Sequence, residues 1–357
     1  MTTSEIVQED IRAVVELVGG DFTRLSGKSL LITGGTGFIG RYLLETLMYV
    51  NDRLLSQPCR VYATTRNRSQ VLVRCPDLRD RHDLVLIEGD IRAFEALPDP
   101  VHFVIHAAAS SDVRQFLQDP LATVDTIVDG TRAVLTMVAD MPLEAFLFVS
   151  SGAVYGSQPP ERIWLAEDDR SGPDLGEARS CYAEAKRYSE LLCRIFAERH
   201  GVPLSVARLF TILGPYQDRN STSAVIDFIR QCLDGDTITI WDNGQAIRSY
   251  CYVADAVVAL WKLLFGPQQG GAVNVGSDLE AVSFVDLAHR VARNAGKRVT
   301  VVVQGTRPTG ILGLRYAPDV TRLYEKTGFR PATTLDQALC RTIAWMKERW
   351  KEDVAIA

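Results

Sequence analysis

The chain has 357 residues, which is enough for one large α/β domain or for two medium-sized domains. Apolar residues make up 46% of it and charged residues 23%, proportions typical of folded soluble proteins, and they exclude a disordered chain. The formal net charge of −5 excludes a strongly basic surface, so we expect no nucleic acid among the partners.

The sequence indicates neither a membrane protein nor a secreted one. The N-terminal segment MTTSEIVQEDIR is polar and acidic, whereas a signal peptide is basic and then apolar. No apolar run reaches the roughly 18 residues of a membrane-spanning helix. The seven cysteines are scattered without C-x-x-C spacing, so we expect neither disulfides nor a metal site. These features predict a cytoplasmic protein with no membrane partner.

The first predicted element is a helix with an apolar stripe formed by Ile11, Val14, Val15 and Val18. This stripe either packs on its own domain or serves self-association. Short apolar runs then alternate with helical patterns, which predicts a parallel sheet covered on both faces, a doubly wound α/β fold. The predicted strands are SLLIT (29–33), CRVYATT (59–65), DLVLIEGD (83–90), VHFVIHAAA (101–109), EAFLFVSS (144–151), LSVARLF (204–210) and AVNVGS (272–277).

The pattern changes after Gly214. The segment ITIWDNGQAIRSYCYV (238–253) predicts a strand, a turn at Asn243-Gly244 and a second strand. Ser283, with Asp286 three residues later, is a variant of the capping box that opens a helix. We therefore expect a smaller mixed α/β unit in the C-terminal part of the chain.

Gly34, Gly37 and Gly40 form a G-x-x-G-x-x-G pattern between the first strand and the next helix. In this position glycine allows a tight turn, and it lets the backbone approach a pyrophosphate at the helix N-terminus. The pattern predicts a Rossmann-type dinucleotide site. The expected cofactor contacts also include Phe38 and Ile39 in the first helical turn, and Ala107 and Ala108 after the fourth strand.

The residues after the second strand bear on the choice between NAD and NADP. The segment TTRNR (64–68) has no carboxylate for a free ribose 2′-hydroxyl. Arg66 and Arg68 are suited to a 2′-phosphate, which favours NADP over NAD, although both also fit solvated loop charges. Asp90 and Ile91, at the end of the third strand, are expected to contact adenine.

Tyr182 and Lys186 lie four residues apart, on one face of a predicted helix. A free tyrosine has a pKa of about 10, and a neighbouring ammonium and a cationic nicotinamide both favour the phenolate. The serine pair 150–151 ends an apolar strand and offers a hydroxyl that shares the proton. The pattern indicates a catalytic acid/base group, while an exposed helix face is the alternative interpretation.

The chain resembles the extended short-chain dehydrogenase/reductase superfamily, in its nucleotide-sugar epimerase/dehydratase branch, from about Lys28 to Trp350. The resemblance implies that Ser151, three residues before V-Y-G, is the catalytic hydroxyl. It also implies that Tyr182 takes a sugar hydroxyl proton, that Lys186 orients the nicotinamide ribose, and that hydride leaves C4 of the sugar. The motifs that carry it are GGTGFIG, GDIR, HAAAS, SSGAVYG, YAEAK, RLFTILGP, RSYCYVADAV, VNVGS and TGFRP.

The resemblance further implies a nucleotide-diphosphate sugar as substrate and a homodimer as assembly. Arg248 and Arg315 correspond to arginines that meet the diphosphate, and Thr211 stands where an asparagine usually touches it. The implied organisation is an N-terminal helical extension, a Rossmann domain and a substrate domain. Their expected boundaries are 1–26 for the extension, 27–211 with 248–277 for the Rossmann domain, and 212–247 with 278–357 for the substrate domain.

One departure from the family pattern narrows the reaction. The 4,6-dehydratases carry Asp-Glu immediately before V-Y-G and the uronate decarboxylases carry Ser-Glu, whereas this chain has Gly152-Ala153. This pair favours a nucleotide-sugar 4-epimerase. An NADPH-dependent 4-ketoreductase is the first alternative and a 4,6-dehydratase the second. A dinucleotide-sensing regulator is the non-enzymatic alternative, although such proteins typically lack the Tyr and Lys.

Overall fold

A computed structural model describes residues 4–94, 96–109, 113–159, 161–266, 271–305 and 313–356. Ser110, the last residue of the HAAAS motif, lies outside them. The helices are α1 (Glu5–Val18), α2 (Phe38–Arg53), α3 (Arg68–Arg74), α4 (Val113–Gln118), α5 (Pro120–Met137), α6 (Cys181–His200), α7 (Ala224–Asp234), α8 (Val253–Phe265), α9 (Phe284–Asn294), α10 (Thr321–Thr327) and α11 (Leu335–Ile356).

Seven strands form one parallel sheet in the order β11-β6-β5-β4-β1-β2-β3. Chain order reverses between β1 and β4, and ligands bind at the carboxyl ends of strands at such a point. This confirms the doubly wound Rossmann-type fold. The strands are β1 (Ser29–Thr33), β2 (Arg60–Thr65), β3 (Leu84–Glu88), β4 (Phe103–His106), β5 (Ala145–Ser151), β6 (Leu204–Leu209) and β11 (Ala272–Val275).

The sheet has an apolar core on each face because successive side chains of a strand point to opposite sides. Leu30 and Ile32 of β1 pack in one core with α1, α2 and α8. Leu31, between them, packs in the second core with residues of α5 and α6, including Val134 and Phe196. Five buried strand residues in a row, as in β1, are typical of a central parallel strand.

The apolar stripe of α1 packs inside the chain. Ile11, Val14 and Val18 are at most 5% exposed, and α1 lies against α8 and α2. The carboxylate of Asp10, also buried, accepts hydrogen bonds from the Tyr42 and Tyr252 hydroxyls at 2.8 and 2.6 Å. Of the two interpretations of the stripe, these contacts support packing on its own domain.

The short strands of the C-terminal part form three further small sheets. In these, β7 pairs with β10, β8 with β13, and β9 with both β12 and β14. Ser283 caps α9, with its hydroxyl accepting from the Asp286 N–H at 3.1 Å, as the sequence predicts. The strands are β7 (Ile212–Leu213), β8 (Thr237–Ile240), β9 (Ile247–Arg248), β10 (Cys251–Tyr252), β12 (Val282–Ser283), β13 (Thr300–Val303) and β14 (Arg315–Tyr316).

The segment around Asn243-Gly244 is not a hairpin. A turn is present, with Gly244 at a φ of +72°, but β8 and β9 on its two sides belong to different sheets. The β-rich run TVVV of β13 offers β8 a four-residue parallel partner, whereas β9 is only two residues long. Long-range pairing therefore overrides the local hairpin signal.

Candidate active site

The glycine turn, Gly34–Gly40, connects β1 to α2 at the carboxyl edge of the sheet. Gly34 has a φ of +69°, and a Cβ there would lie 2.9 Å from the carbonyl oxygen of Ala107. A Cβ on Gly40 would overlap the carbonyl oxygen of Gly34. Gly37 is exposed at the N-cap of α2, and its N–H donates to Gly34 O at 3.0 Å. Gly34 and Gly40 thus have steric reasons to be glycine, whereas a Cβ on Gly37 would make only an ordinary contact with the Gly34 carbonyl oxygen at 3.4 Å.

The residues present at this turn fit a dinucleotide pyrophosphate. No side chain caps the N-terminus of α2, so the first N–H groups, including those of Phe38 and Ile39, are available to an anion. The hydroxyl of Thr33 accepts from the N–H groups of Ala107 and Ala108, both at 3.1 Å, and so joins the ends of β1 and β4. The predicted contacts around Gly34 and Gly37 therefore lie on one edge of the sheet.

The side chains that follow β2 and β3 differ in exposure and in their partners. Arg66 and Arg68 are exposed. The Asp90 carboxylate binds the Arg92 guanidinium at 2.5 Å, and this partner holds the pKa of Asp90 below its usual value. Ile91 is 8% exposed and packs on Gly130 of α5. Asp90 thus reaches the surface already paired, while most of the Ile91 side chain is in the core.

Tyr182 stands in the first turn of α6, and Ser151 ends β5. The Ser151 hydroxyl interacts with the Tyr182 phenol and lowers its pKa, but burial has the larger effect and raises it. The phenol ring stacks on Phe116 of α4, with ring centres 4.8 Å apart and planes 10° apart. The structure therefore brings together the two hydroxyls that the sequence predicts to share a proton.

Lys186 lies one turn further along α6 and is 3% exposed. Its Nζ donates to the carbonyl of Val149 at 2.8 Å and lies 5.0 Å from the centre of the Phe148 ring. Burial lowers the pKa of Lys186 to about 8, which still leaves the ammonium mostly protonated at neutral pH. A positive charge is thus held under the end of β5, close to Ser151.

A mostly buried ion pair between Glu190 and Arg208 links α6 to the sheet. Glu190, one turn beyond Lys186, binds the Arg208 guanidinium at 2.7 Å and accepts from the Ser150 hydroxyl at 2.6 Å. The two charged side chains are 13% and 17% exposed. This link joins α6 to β5 and β6, so it fixes the helix that carries Tyr182 and Lys186 against the strand that carries Ser151.

Gly152 faces two aromatic rings. A Cβ at this position would lie 2.5 Å from the Tyr316 hydroxyl oxygen and 2.6 Å from Cε2 of Phe210. Burial raises the pKa of Tyr316, and the nearby Ser151 hydroxyl lowers it by a smaller amount. Sequence reasoning missed Tyr316, although it directly follows Arg315. We call Ser151, Tyr182 and Tyr316 the hydroxyl cluster.

The predicted substrate residues are distributed over two strands and a connection. Arg248, 6% exposed, donates to the carbonyls of Ile247 and Gly313 at 2.8 and 2.9 Å. No carboxylate of a described residue forms an ion pair with it, so a buried cation remains for an anionic ligand. Burial lowers the pKa of Arg248, and Tyr250, Tyr316 and Asp242 raise it by smaller amounts.

Arg315 and Thr211 have weaker structural links to that cation. Arg315 pairs in register with Ile247, while Tyr316 pairs with Arg248. Because side chains alternate along a strand, Arg315 starts from the opposite face of this small sheet. The Thr211 carbonyl accepts from the Cys251 N–H at 3.0 Å, so its backbone joins two strands. The strand register thus groups Arg248 with Tyr316 and places Arg315 on the other face of this small sheet.

Within the described ranges, no helix has both the length and the apolar character needed to cross a membrane. In the same part of the chain, no three His, Cys, Asp or Glu side chains are grouped as metal ligands.

The family model of the NAD-dependent epimerase/dehydratase family matches residues 30–276. The chain is 30% identical to a UDP-N-acetyl-alpha-D-glucosaminuronate decarboxylase of Bacillus cytotoxicus, over 90% of this chain and 98% of that protein. Its structure is similar to a UDP-glucuronic acid 4-epimerase from Bacillus cereus in complex with UDP-glucuronic acid and NAD. The TM-score is 0.76, at 22% identity, covering 90% of this chain and 99% of that one.

A dTDP-glucose 4,6-dehydratase from Streptomyces venezuelae with NAD bound is similar as well, with a TM-score of 0.75 and 24% identity, covering 91% of this chain and 98% of that one. The similar proteins thus include a decarboxylase, an epimerase and a dehydratase. All three act on nucleotide-linked sugars, and the regulator interpretation is set aside. The chain belongs to the NAD-dependent epimerase/dehydratase family and is an enzyme that modifies nucleotide-linked sugars.

Proposed function

We propose that the enzyme is a 4-epimerase of a nucleotide-diphosphate sugar. The observation that carries this proposal is the environment of residues 152 and 153. Neither Gly152 nor Ala153 has an ionisable group, and the Tyr316 hydroxyl and the Phe210 ring occupy the space at Gly152. Elimination of water needs an acid for the leaving hydroxyl and a base for the C5 proton, whereas epimerisation at C4 needs neither.

The described residues account for the proton that moves. Tyr182 takes the proton of the 4-hydroxyl during oxidation and returns it after the 4-keto sugar has presented its other face. Ser151 shares that proton, because its hydroxyl lowers the pKa of the Tyr182 phenol. Lys186 holds a buried positive charge one turn further along α6, where it is placed to orient the nicotinamide ribose. A bound nicotinamide supplies the hydride acceptor and donor for C4. Arg248 supplies a buried cation for the diphosphate.

The proposal is tested by incubating the enzyme with nucleotide hexoses and hexuronates and following the sugar by NMR. An interconverted C4 configuration with unchanged mass supports it. An enzyme-dependent loss of water would instead identify a dehydratase, and it would require a carboxylate from elsewhere in the site.

A uronate decarboxylase is the second candidate, because the curated relative at 30% identity is a decarboxylase. Once C4 of a uronate is a ketone, the carboxylate is placed β to it. Carbon dioxide then leaves without removal of the C5 proton by a base, so the absence of an acidic group at Gly152-Ala153 excludes this reaction less strongly than it excludes dehydration. Release of carbon dioxide from a nucleotide hexuronate would favour this candidate over the epimerase.

For the cofactor, Arg66 and Arg68 still favour NADP, because both are exposed directly after β2, the position of the residues that meet the ribose 2′ group. The NAD bound in the two solved relatives favours the alternative. Denaturing the purified enzyme and identifying the released dinucleotide distinguishes them. Retained cofactor also supports a redox-neutral reaction, whereas an empty site supports the 4-ketoreductase, which exchanges NADPH.

For the assembly, we propose a homodimer formed through α5 and α6, which pack on each other. The outer face of α6 exposes Tyr188, Leu191 and Ile195 by 45 to 52%, and Leu121 of α5 is 75% exposed. Apolar side chains at helical spacing on neighbouring helices suit a self-complementary interface. Sedimentation should show a dimer for the parent and a monomer for Leu191→Glu.

A further inference from the structure

The ring of Phe116, in α4, lies against the phenol ring of Tyr182. The two ring centres are 4.8 Å apart, and the ring planes differ by only 10°. This is the offset parallel arrangement that aromatic pairs favour at such a separation. Because the planes are nearly parallel, the phenylalanine ring covers one face of the phenol.

Phe116 is itself held in place by its surroundings. It is 6% exposed, whereas Leu117, the next residue of the same helix, is 58% exposed. Helix α4 packs against α5 and against the turn Ala178–Ser180, which directly precedes α6. The Cys181 sulfur lies 4.0 Å from the carbonyl oxygen of Phe116. These contacts anchor Phe116 to the helical turn that carries Tyr182.

The position of Tyr182 in its helix leaves its ring in need of such a support. A helical side chain leans on the preceding turn, but Tyr182 is the second residue of α6 and has no full α-helical turn before it. Its phenol oxygen is the side-chain atom farthest from the backbone, so a small rotation about either torsion displaces that oxygen. A displacement of about 1 Å in a reacting group can slow a reaction by about 10²-fold.

This inference deepens the proposed function, since it rests on Tyr182 as the proton acceptor. We propose that Phe116 is a positioning residue that holds the phenol ring of Tyr182 in one orientation by stacking on its face. Phe116 has no group that can take or give a proton, so it acts only through the ring of Tyr182. A flat aromatic ring is needed for this role, because an aliphatic side chain fills the space but lets the phenol tilt and rotate.

The kinetic test compares Phe116→Leu, which removes the flat ring, with Phe116→Tyr, which keeps it. In Phe116→Leu we expect kcat for the nucleotide sugar to fall by about 2- to 10-fold, the size of one aromatic pair, with an unchanged KM. Phe116→Tyr should retain the parent kcat. Leu117→Ala, at an exposed position of the same helix, is the matched control. Equal kcat values for the two Phe116 variants would overturn the proposal, and so would a higher KM at unchanged kcat, which identifies a substrate contact.

A second measurement follows the Tyr182 ring directly and needs no substrate. In protein labelled with ¹³C-tyrosine, the Tyr182 ring signals are identified by NMR from their loss in Tyr182→Phe. Phe116→Leu should remove the upfield shift that a stacked ring causes, and the Tyr182 ring should flip about 2- to 10-fold faster. Identical signals and flip rates in the parent and in Phe116→Leu would overturn the proposal.

Two further outcomes remain distinguishable. If thermal unfolding shows that Phe116→Leu has lost its fold, Phe116→Met serves instead, because methionine fills irregular space without a flat ring. Absence of any epimerised product would defeat the proposed function, whereas the ring signals would still show whether Phe116 holds the phenol of Tyr182.

Discussion

The glycine turn lies within one stretch of chain from Gly34 to Gly40, whereas the hydroxyl cluster joins residues from three distant segments. In the turn, the critical contacts are backbone contacts, such as that of Gly40 with the Gly34 carbonyl. In the hydroxyl cluster, β5, α6 and β14 each contribute one side chain. The turn therefore depends on local sterics, and the cluster depends on how the C-terminal strands pack against the sheet.

Four predictions test this difference between the glycine turn and the hydroxyl cluster. The largest expected effect is on turnover, when the Tyr182 hydroxyl is removed. Tyr182→Phe should slow turnover by about 10²–10⁴-fold, the usual size of an acid/base contribution, with the fold and cofactor binding intact. Steady-state kinetics and a dinucleotide titration measure both. Tyr324→Phe, at an exposed position of α10, is the control. Turnover within threefold of the parent would mean that proton transfer does not occur at the hydroxyl cluster.

The second prediction concerns the choice between NADP and NAD, which we assign to two arginines near the glycine turn. If Arg66 and Arg68 bind a 2′-phosphate, changing both to Ala should weaken NADP binding by about 1.5–3 kcal/mol for each charged hydrogen bond lost. NAD binding should hardly change, because NAD lacks that phosphate. Titration of both dinucleotides against the double variant measures this, and equal losses would place the arginines outside the cofactor site.

The third prediction concerns the sterics of the turn itself. Gly40→Ala should destabilise the protein by about 1–3 kcal/mol and weaken dinucleotide binding, because the new methyl group overlaps the Gly34 carbonyl. Gly20→Ala is the matched control, since a Cβ there meets nothing within 4 Å. Urea unfolding measures the difference, and similar stabilities for the two variants would contradict the close helix–turn packing.

The fourth prediction concerns the pH dependence of stability, for which we expect the smallest effect. It rests on His106, the last residue of β4. Its ring lies 2.7 Å from the Thr33 hydroxyl and 3.0 Å from that of Thr131, and burial lowers its pKa to about 3. Because the folded-state value lies below the ordinary 6.5, its contribution to stability is present above pH 6.5 and is lost as the pH falls toward 3. At pH 5 the loss should be about 2 kcal/mol.

Urea unfolding at pH 7 and pH 5 should therefore show a smaller acid-induced loss in His106→Gln than in the parent. The exposed His82, changed to Gln in the same way, serves as the control. Equal acid sensitivity of the parent and His106→Gln would show that other groups account for it.

The sequence by itself determined the parts that depend on local order. The apolar run at 29–33 followed by three spaced glycines defines a strand, a turn and a helix, and the spacing of Tyr182 and Lys186 places them on one helical face. The alternation of strands and helices was sufficient for the doubly wound sheet, because parallel strands need such crossovers.

Only the tertiary structure decided the rest. Segments far apart in the chain decide three features: the partners of β8 and β9, the place of Tyr316 over Gly152, and the burial of the Arg248 guanidinium. In the sequence Gly152 is only the absence of an acid, whereas in the structure it is the space that a second phenol needs. Periodicity describes which face of an element is buried, but it does not specify which distant side chain packs against it.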